Sequence, residues 1–242
     1  MGDLPAVAAL RYHHASARSN VRAPQVVTFS GIDGAGKTTQ INSLSAYLSQ
    51  RGFRVAHVIF WDDVAVLSKL RAGVSLAIFR EPSRSANTVS LRHDKNVRTW
   101  YLMLVRAGFY LLDALSLRWV VSKLGRCNHD FIIFDRYLYD ELVQIQPRHW
   151  LARAYIRLLL SLAPQPEFPF ILDASPDEAF ARKPEYPLDF MRSYRQAFLG
   201  LRTFVPHLTV VGPSTVDTVQ QLIVQRIAQG SSVGANRGTP PY

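Results

Sequence analysis

From Val26 to Leu44 the chain reads VVTFSGIDGAGKTTQINSL, and few short stretches restrict a fold as tightly. A β-branched apolar run enters a glycine-rich turn, and Lys37, Thr38 and Thr39 lead out of it into a helical pattern. Gly31, Gly36, Lys37 and Thr38 satisfy G-x-x-x-x-G-K-[ST] without a gap. Glycines let the backbone curl until successive N–H groups point inward at phosphate oxygens, and the following helix adds its positive end. The loop Gly31, Asp33, Gly34, Ala35, Gly36, Lys37, Thr38 and Thr39 is therefore expected to seat ATP. Lys37 would bridge the β and γ phosphates, and the Thr38 hydroxyl would ligate Mg²⁺.

The remaining pattern extends this start into an α/β fold. The first strand spans residues 25–30 and the helix after the glycine turn about 38–50, stopped by Arg51 and Gly52. A second strand, FRVAHVIFW, follows, then a short helix near 64–72 and a polar stretch to Asn96. A long helix is expected over about 97–124, a buried strand in HDFIIFDRY, a helix over 148–162 and a strand ending at Asp173. SPDEAFARK offers Ser175 as N-cap and Pro176 at the first helical position. A helix over 189–204, a strand HLTVVG and a helix over 214–229 complete the pattern. Short apolar strands alternating with helices predict a three-layer P-loop kinase fold: a parallel sheet of about five strands, helices on both faces and a short lid at 181–190. Residues 1–24 read as a flexible basic leader, 25–229 as the domain and 230–242 as a disordered tail.

Three further groups carry chemistry. Asp135, Arg136 and Tyr137 follow FIIF, where ligands of open α/β sheets bind beyond the strand ends. Asp135 would hold magnesium, directly or through water, and the planar fork of Arg136 would clamp a phosphate. An ion pair closing a strand end is the bland alternative. Arg182 and Lys183 sit at a helix end beside a Pro-interrupted loop, where a closing lid could bring cations over the triphosphate. Arg192 and Arg195 lie downstream and read equally well as a solvated helix face. On the long helix Arg106, Phe109, Tyr110 and Asp113 share one face. Such a face can stack on and hydrogen-bond a base, although an aromatic stripe more often packs a core.

Charge and composition narrow the setting. The 242 residues suit one sizeable domain, and the net charge of +10 attracts anionic partners. Because that charge is scattered, phosphorylated small molecules explain it more economically than nucleic acid does. The most apolar window, 101–121, contains Arg106, Asp113 and Arg118, which argues against a membrane span. The single cysteine, Cys127, excludes an internal disulfide and is expected to be buried and inert in a cytoplasmic protein.

With FSGIDGAGKTTQ and IIFDRY in place, supported by ILDASPDEAFARK and LDFMRSYRQAF, the chain resembles the thymidylate kinase family of nucleoside monophosphate kinases. The resemblance implies that Asp33 contacts the sugar hydroxyl of the bound monophosphate, and that Asp135 and Arg136 serve magnesium and the acceptor phosphate. It implies lid cations at Arg182 and Lys183, base recognition from Arg106, and acceptor binding by Asp33, Arg106, Arg136 and Tyr137. Position 34 is glycine rather than a basic residue, so the needed cation is expected from the lid, as in the bacterial subtype. On the acceptor side the chain departs from the family. Its second strand ends IFWDDV, with Trp61, Asp62 and Asp63 where an arginine turn is usual, and REP appears only at 80–82. The acceptor is thus dTMP, or else a nucleoside or sugar phosphate on the same scaffold; a P-loop ATPase acting as a switch or nucleic-acid module is the reading from another class. Family members are commonly dimers, and the long helix is expected either to pair two copies or to serve as a core element.

Overall fold

Period-two alternation sorts the strand residues onto two helix-covered faces. The computed structural model describes residues 23–65 and 100–235. Strands β1 (Gln25–Ser30), β2 (Val55–Ile59), β3 (Phe131–Asp135), β4 (Phe168–Leu172) and β5 (Thr209–Val211) form one parallel sheet in the order β2-β3-β1-β4-β5. The helices are α1 (Lys37–Gln50), α2 (Trp100–Arg126), α3 (Tyr139–Leu142), α4 (Trp150–Leu162), α5 (Pro176–Arg182), α6 (Leu188–Gly200) and α7 (Val216–Ala235). On one face Val27 and Phe29 of β1, Ile133 of β3 and Phe170 of β4 pack against Ile41 and Leu44 of α1 and Ile223 of α7. On the other, Val26, Ile132, Phe134 and Ile171 meet Leu117 of α2, Leu159 of α4 and Phe198 of α6. Fully burying one such side chain contributes roughly 1.5–3 kcal/mol, so both faces hold the sheet strongly. β1 lies between β3 and β4, which puts the strand-order reversal, and hence the ligand crevice, at its carboxyl end.

The five parallel strands and the helices on both faces are as the sequence predicts; several boundaries move. α1 ends in a Schellman pair, with Gly52 N–H bonded to Ser49 O at 2.9 Å and Phe53 N–H to Leu48 O at 3.2 Å. β2 stops at Ile59 because Phe60–Val64 winds into a π-helical turn, which the Asp63 carboxylate closes by accepting the Ile59 N–H at 2.7 Å. Only 64 and 65 of the helix expected at 64–72 fall in the described residues, whereas residues 80–82 and the leader before residue 23 lie outside them. Ser175 does stand at the start of α5, yet its hydroxyl makes no capping bond, and its carbonyl accepts the Ala179 N–H at 2.9 Å. α6 stops at Gly200 and passes into a 3₁₀ turn at Leu201–Thr203. α7 continues to Ala235, past the boundary expected at 230, with Gly230 close against the Phe168 ring. Cys127 is exposed rather than buried, since it follows the end of α2 in the turn before β3. Among the described residues no helix is long and apolar enough to cross a membrane.

Candidate active site

The glycine loop packs directly onto α5. A Cβ on Gly34, whose φ is +83°, would lie 2.7 Å from the Ala179 carbonyl oxygen, so backbone meets backbone there. Lys37 opens α1 but turns its side chain back into the loop. Its Nζ donates to the carbonyls of Gly31 and Ile32, both at 2.9 Å, and lies 3.8 Å from Asp33. With only 7% of it exposed, burial lowers the Lys37 pKa, Arg136 adds to that, and Asp140, Asp33 and Asp135 oppose it. Thr38 and Thr39 are exposed in the first turn of α1, and Gln40 ties that helix to the Val216 carbonyl at 2.9 Å.

Arg136 is the hub. Its φ of +69° is left-handed, a conformation costing a non-glycine residue roughly 1–3 kcal/mol. Its N–H bonds to Phe29 O at 2.9 Å, its Nη1 donates to Asp140 at 3.1 Å and its Nη2 donates to Asp33. Burial disfavours its charge, but Asp140 and Asp33 outweigh burial and raise its pKa. For Asp33, burial alone would raise the pKa; Arg136 and Lys37, aided by Lys183, overcome it and hold the carboxyl below the usual range. Asp140 goes the other way. Its almost complete burial raises the pKa against the pull of Arg136 and Lys37. Asp135 ends β3 in register with Phe29 of β1 and Ile59 of β2, half-buried and close enough to support the charge of Lys37.

The other expected residues divide. Lys183 pairs with Glu185 at 3.1 Å, and its charge still reaches Asp33, whereas Arg182 folds back along α5 to Glu178 at 3.6 Å. Arg106 donates to the Tyr110 hydroxyl and to Gln144, joining α2 to the residues after α3. Tyr137, expected at the acceptor, is a core residue. It is 1% exposed, its hydroxyl donates to Pro164 O, and its ring packs on Phe134 and Tyr139. The left-handed turn at Arg136 sends the next side chain inward, which explains the correction. Arg195 grips Asp173 through two bonds of 2.5 and 2.7 Å, and Arg192 meets Asp177 at 3.1 Å. Both line a cavity of about 570 Å³ with Ser175, Pro176 and Pro213, at the ends of β4 and β5. Sequence reasoning missed Asp140 and Tyr194, whose hydroxyl donates to the Asp140 carbonyl at 3.1 Å. The acid four residues after Arg136 was a readable signal for the first, while the second, fifty-four residues away in α6, had none.

The donor set suits magnesium held mostly by phosphates: one exposed hydroxyl, Thr38, and one strand-end carboxylate, Asp135. No family model matches the chain. The thymidylate kinase of Chlorobium luteolum is 29% identical over 65% of this chain and 66% of its own length. A protein of Methanothermobacter thermautotrophicus named "probable thymidylate kinase" is 26% identical over 84% of this chain and 93% of its own. The chain is a divergent relative of these thymidylate kinases. Solved thymidylate kinases share its fold. That of Candida albicans superposes with a TM-score of 0.57 at 20% identity, over 86% of this chain and 93% of its own. That of Ehrlichia chaffeensis gives 0.53 at 18%, over 85% and 100%.

Proposed function

We propose that the protein transfers the γ-phosphoryl group of ATP to dTMP, giving dTDP and ADP, with Mg²⁺. The observation that supports this best is the convergence of Lys37 and Arg136 on Asp33 beyond the ends of β1 and β3. Two cations gathered on one carboxylate suit a transfer between two phosphates, where positioning and charge neutralisation carry most of the catalysis. Lys37 leaves the Gly31 and Ile32 carbonyls for the β and γ phosphates, and the loop N–H groups cradle the chain. Thr38 and Asp135 would hold the magnesium, which would offset negative charge on the phosphates. Arg136 clamps the acceptor phosphate, and Asp33 turns toward the acceptor sugar. Lys183 and Arg182 close from the lid and exclude water. Arg106, set by Tyr110 and Gln144, faces the base. No residue needs to act as a strong base, because an acceptor phosphate oxygen is already nucleophilic.

A second reading keeps the donor side and changes the acceptor to a nucleoside or sugar phosphate. It is favoured by the exit of β2, where the exposed Asp62 and Asp63 follow Ile59, the register partner of Asp135, in place of an arginine. An acceptor panel of nucleoside monophosphates, nucleosides and sugar phosphates, followed by ADP release, separates the two. dTMP-dependent release that is lost in Lys37→Ala and strongly reduced in Arg136→Ala supports the first. Turnover with a sugar phosphate alone refutes it. Slow ATP turnover stimulated by polynucleotide, and indifferent to every small acceptor, would overturn both.

A further inference from the structure

We propose that Asp140 is the positioning residue of Arg136: it fixes Nη1 so that Nη2 is the edge of the guanidinium presented to phosphate. The inference rests on the kinase reading above for the role of Arg136, and on the present geometry for everything else. A guanidinium is a planar fork with two usable edges, and here each edge has its own carboxylate, Asp140 on Nη1 at 3.1 Å and Asp33 on Nη2. The two carboxylates are not equivalent. Asp140 is 1% exposed, and its second oxygen accepts the Tyr137 N–H at 3.3 Å. Its carbonyl accepts the Tyr194 hydroxyl at 3.1 Å and the Gln144 amide at 3.4 Å. Tied at side chain and backbone, it has no room to turn.

Asp33 sits in the glycine loop, is partly exposed and divides itself between Arg136 and Lys37. When an anionic phosphate enters between those cations, Asp33 is the partner that can let go. Nη2 is then free to bind the phosphate while Nη1 stays on Asp140. The left-handed backbone of Arg136 points the same way, since such a conformation persists only where its surroundings over-determine it. Asp140, four residues on, supplies one of those constraints. Tyr194 belongs to an aromatic ladder along α6, stacked on Phe190 at 5.2 Å, which in turn meets Tyr186 at 5.3 Å. The anchor is therefore fastened to the helix that follows the lid loop.

The test uses the full chain and the variants Asp140→Asn, Arg136→Lys and the double substitution. Steady-state kinetics are measured with ATP and dTMP, and the Arg136 Nε–H resonance is followed by ¹⁵N NMR without ligand. We expect Asp140→Asn to lower kcat at least tenfold while the KM for ATP moves less than twofold. In the Arg136→Lys background the same change should cost less than twofold, because the anchored fork is already gone. The Arg136 resonance, sharp in the wild type, should broaden in Asp140→Asn. Equal losses in both backgrounds, or an unchanged resonance, overturn the proposal. If Asp140→Asn does not fold, Asp140→Glu keeps the charge and displaces it by one methylene: a kcat loss at constant ATP KM supports the assignment, and wild-type kcat refutes it. Should the wild type transfer phosphate to no acceptor, the kinase reading falls, and the resonance alone decides the role of Asp140.

Discussion

Replacing Gly34 by alanine tests how closely the phosphate loop is built onto the lid helix. Two costs add. A left-handed φ of +83° is roughly 1–2 kcal/mol worse for alanine than for glycine. The new Cβ would also lie 2.7 Å from the Ala179 carbonyl and 3.1 Å from its Cα, both backbone, so no rotamer change relieves the overlap. Overpacking of this kind costs typically about 1–3 kcal/mol. Gly36 is a built-in control: its φ of +84° matches, but its Cβ would meet nothing within 4 Å. Gly36→Ala therefore carries the backbone cost alone. At roughly 2–4 °C per kcal/mol for a domain of this size, Gly34→Ala should melt about 2–12 °C below Gly36→Ala. Thermal unfolding by circular dichroism reads the difference, with urea midpoints at constant m confirming that only stability changed. Equal melting temperatures would refute the packing of loop on α5. The same contact explains why position 34 holds no cation: a side chain there has no room, and the positive charge acting on Asp33 comes from Arg136, Lys37 and Lys183.

Three other outcomes follow from the site and its surroundings. Because the Asp33 pKa lies below its unfolded value, its stabilisation is present above about pH 4 and lost as pH falls through the lower folded value. The stability gap between wild type and Asp33→Asn should accordingly shrink on acidification below pH 4 in denaturant titrations; a gap that widens would contradict the sign. Tyr137→Phe removes a buried hydroxyl from Pro164 and should cost about 1 kcal/mol of stability without changing the KM for the acceptor. A large rise in that KM would return Tyr137 to the substrate. Finally, a homodimer through α2 requires that its exposed Leu112, Leu115 and Trp119 meet a second copy. Light scattering should then show Trp119→Asp shifting the wild-type dimer to monomer, whereas a wild-type monomer would leave α2 to its core role.

The glycine-loop half of the candidate site was legible because it is local. Strand, glycine loop and lysine lie within about twenty consecutive residues, and the geometry of a phosphate cradle depends on little else. The alternation of short apolar strands with helices likewise predicts a parallel sheet covered on both faces, since burial is read from period alone. What was not legible was whatever depends on direction. Tyr137 follows Arg136 in sequence as a ligand would, yet the left-handed turn at Arg136 sends it into the core. Arg182 and Lys183 are neighbours, yet one folds onto its own helix while the other reaches Asp33 with its charge.

Short-range pattern and the steric rules for glycine and lysine are enough to specify the fold class, the glycine loop and the placing of Asp135 and Arg136 at a strand end. Which carboxylates hold Arg136, the anchoring of Asp140 from α6 by Tyr194 and the pressing of Gly34 against Ala179 come from packing alone. Each of those is a contact between segments far apart in the chain, and such contacts exist only once burial has brought the segments together.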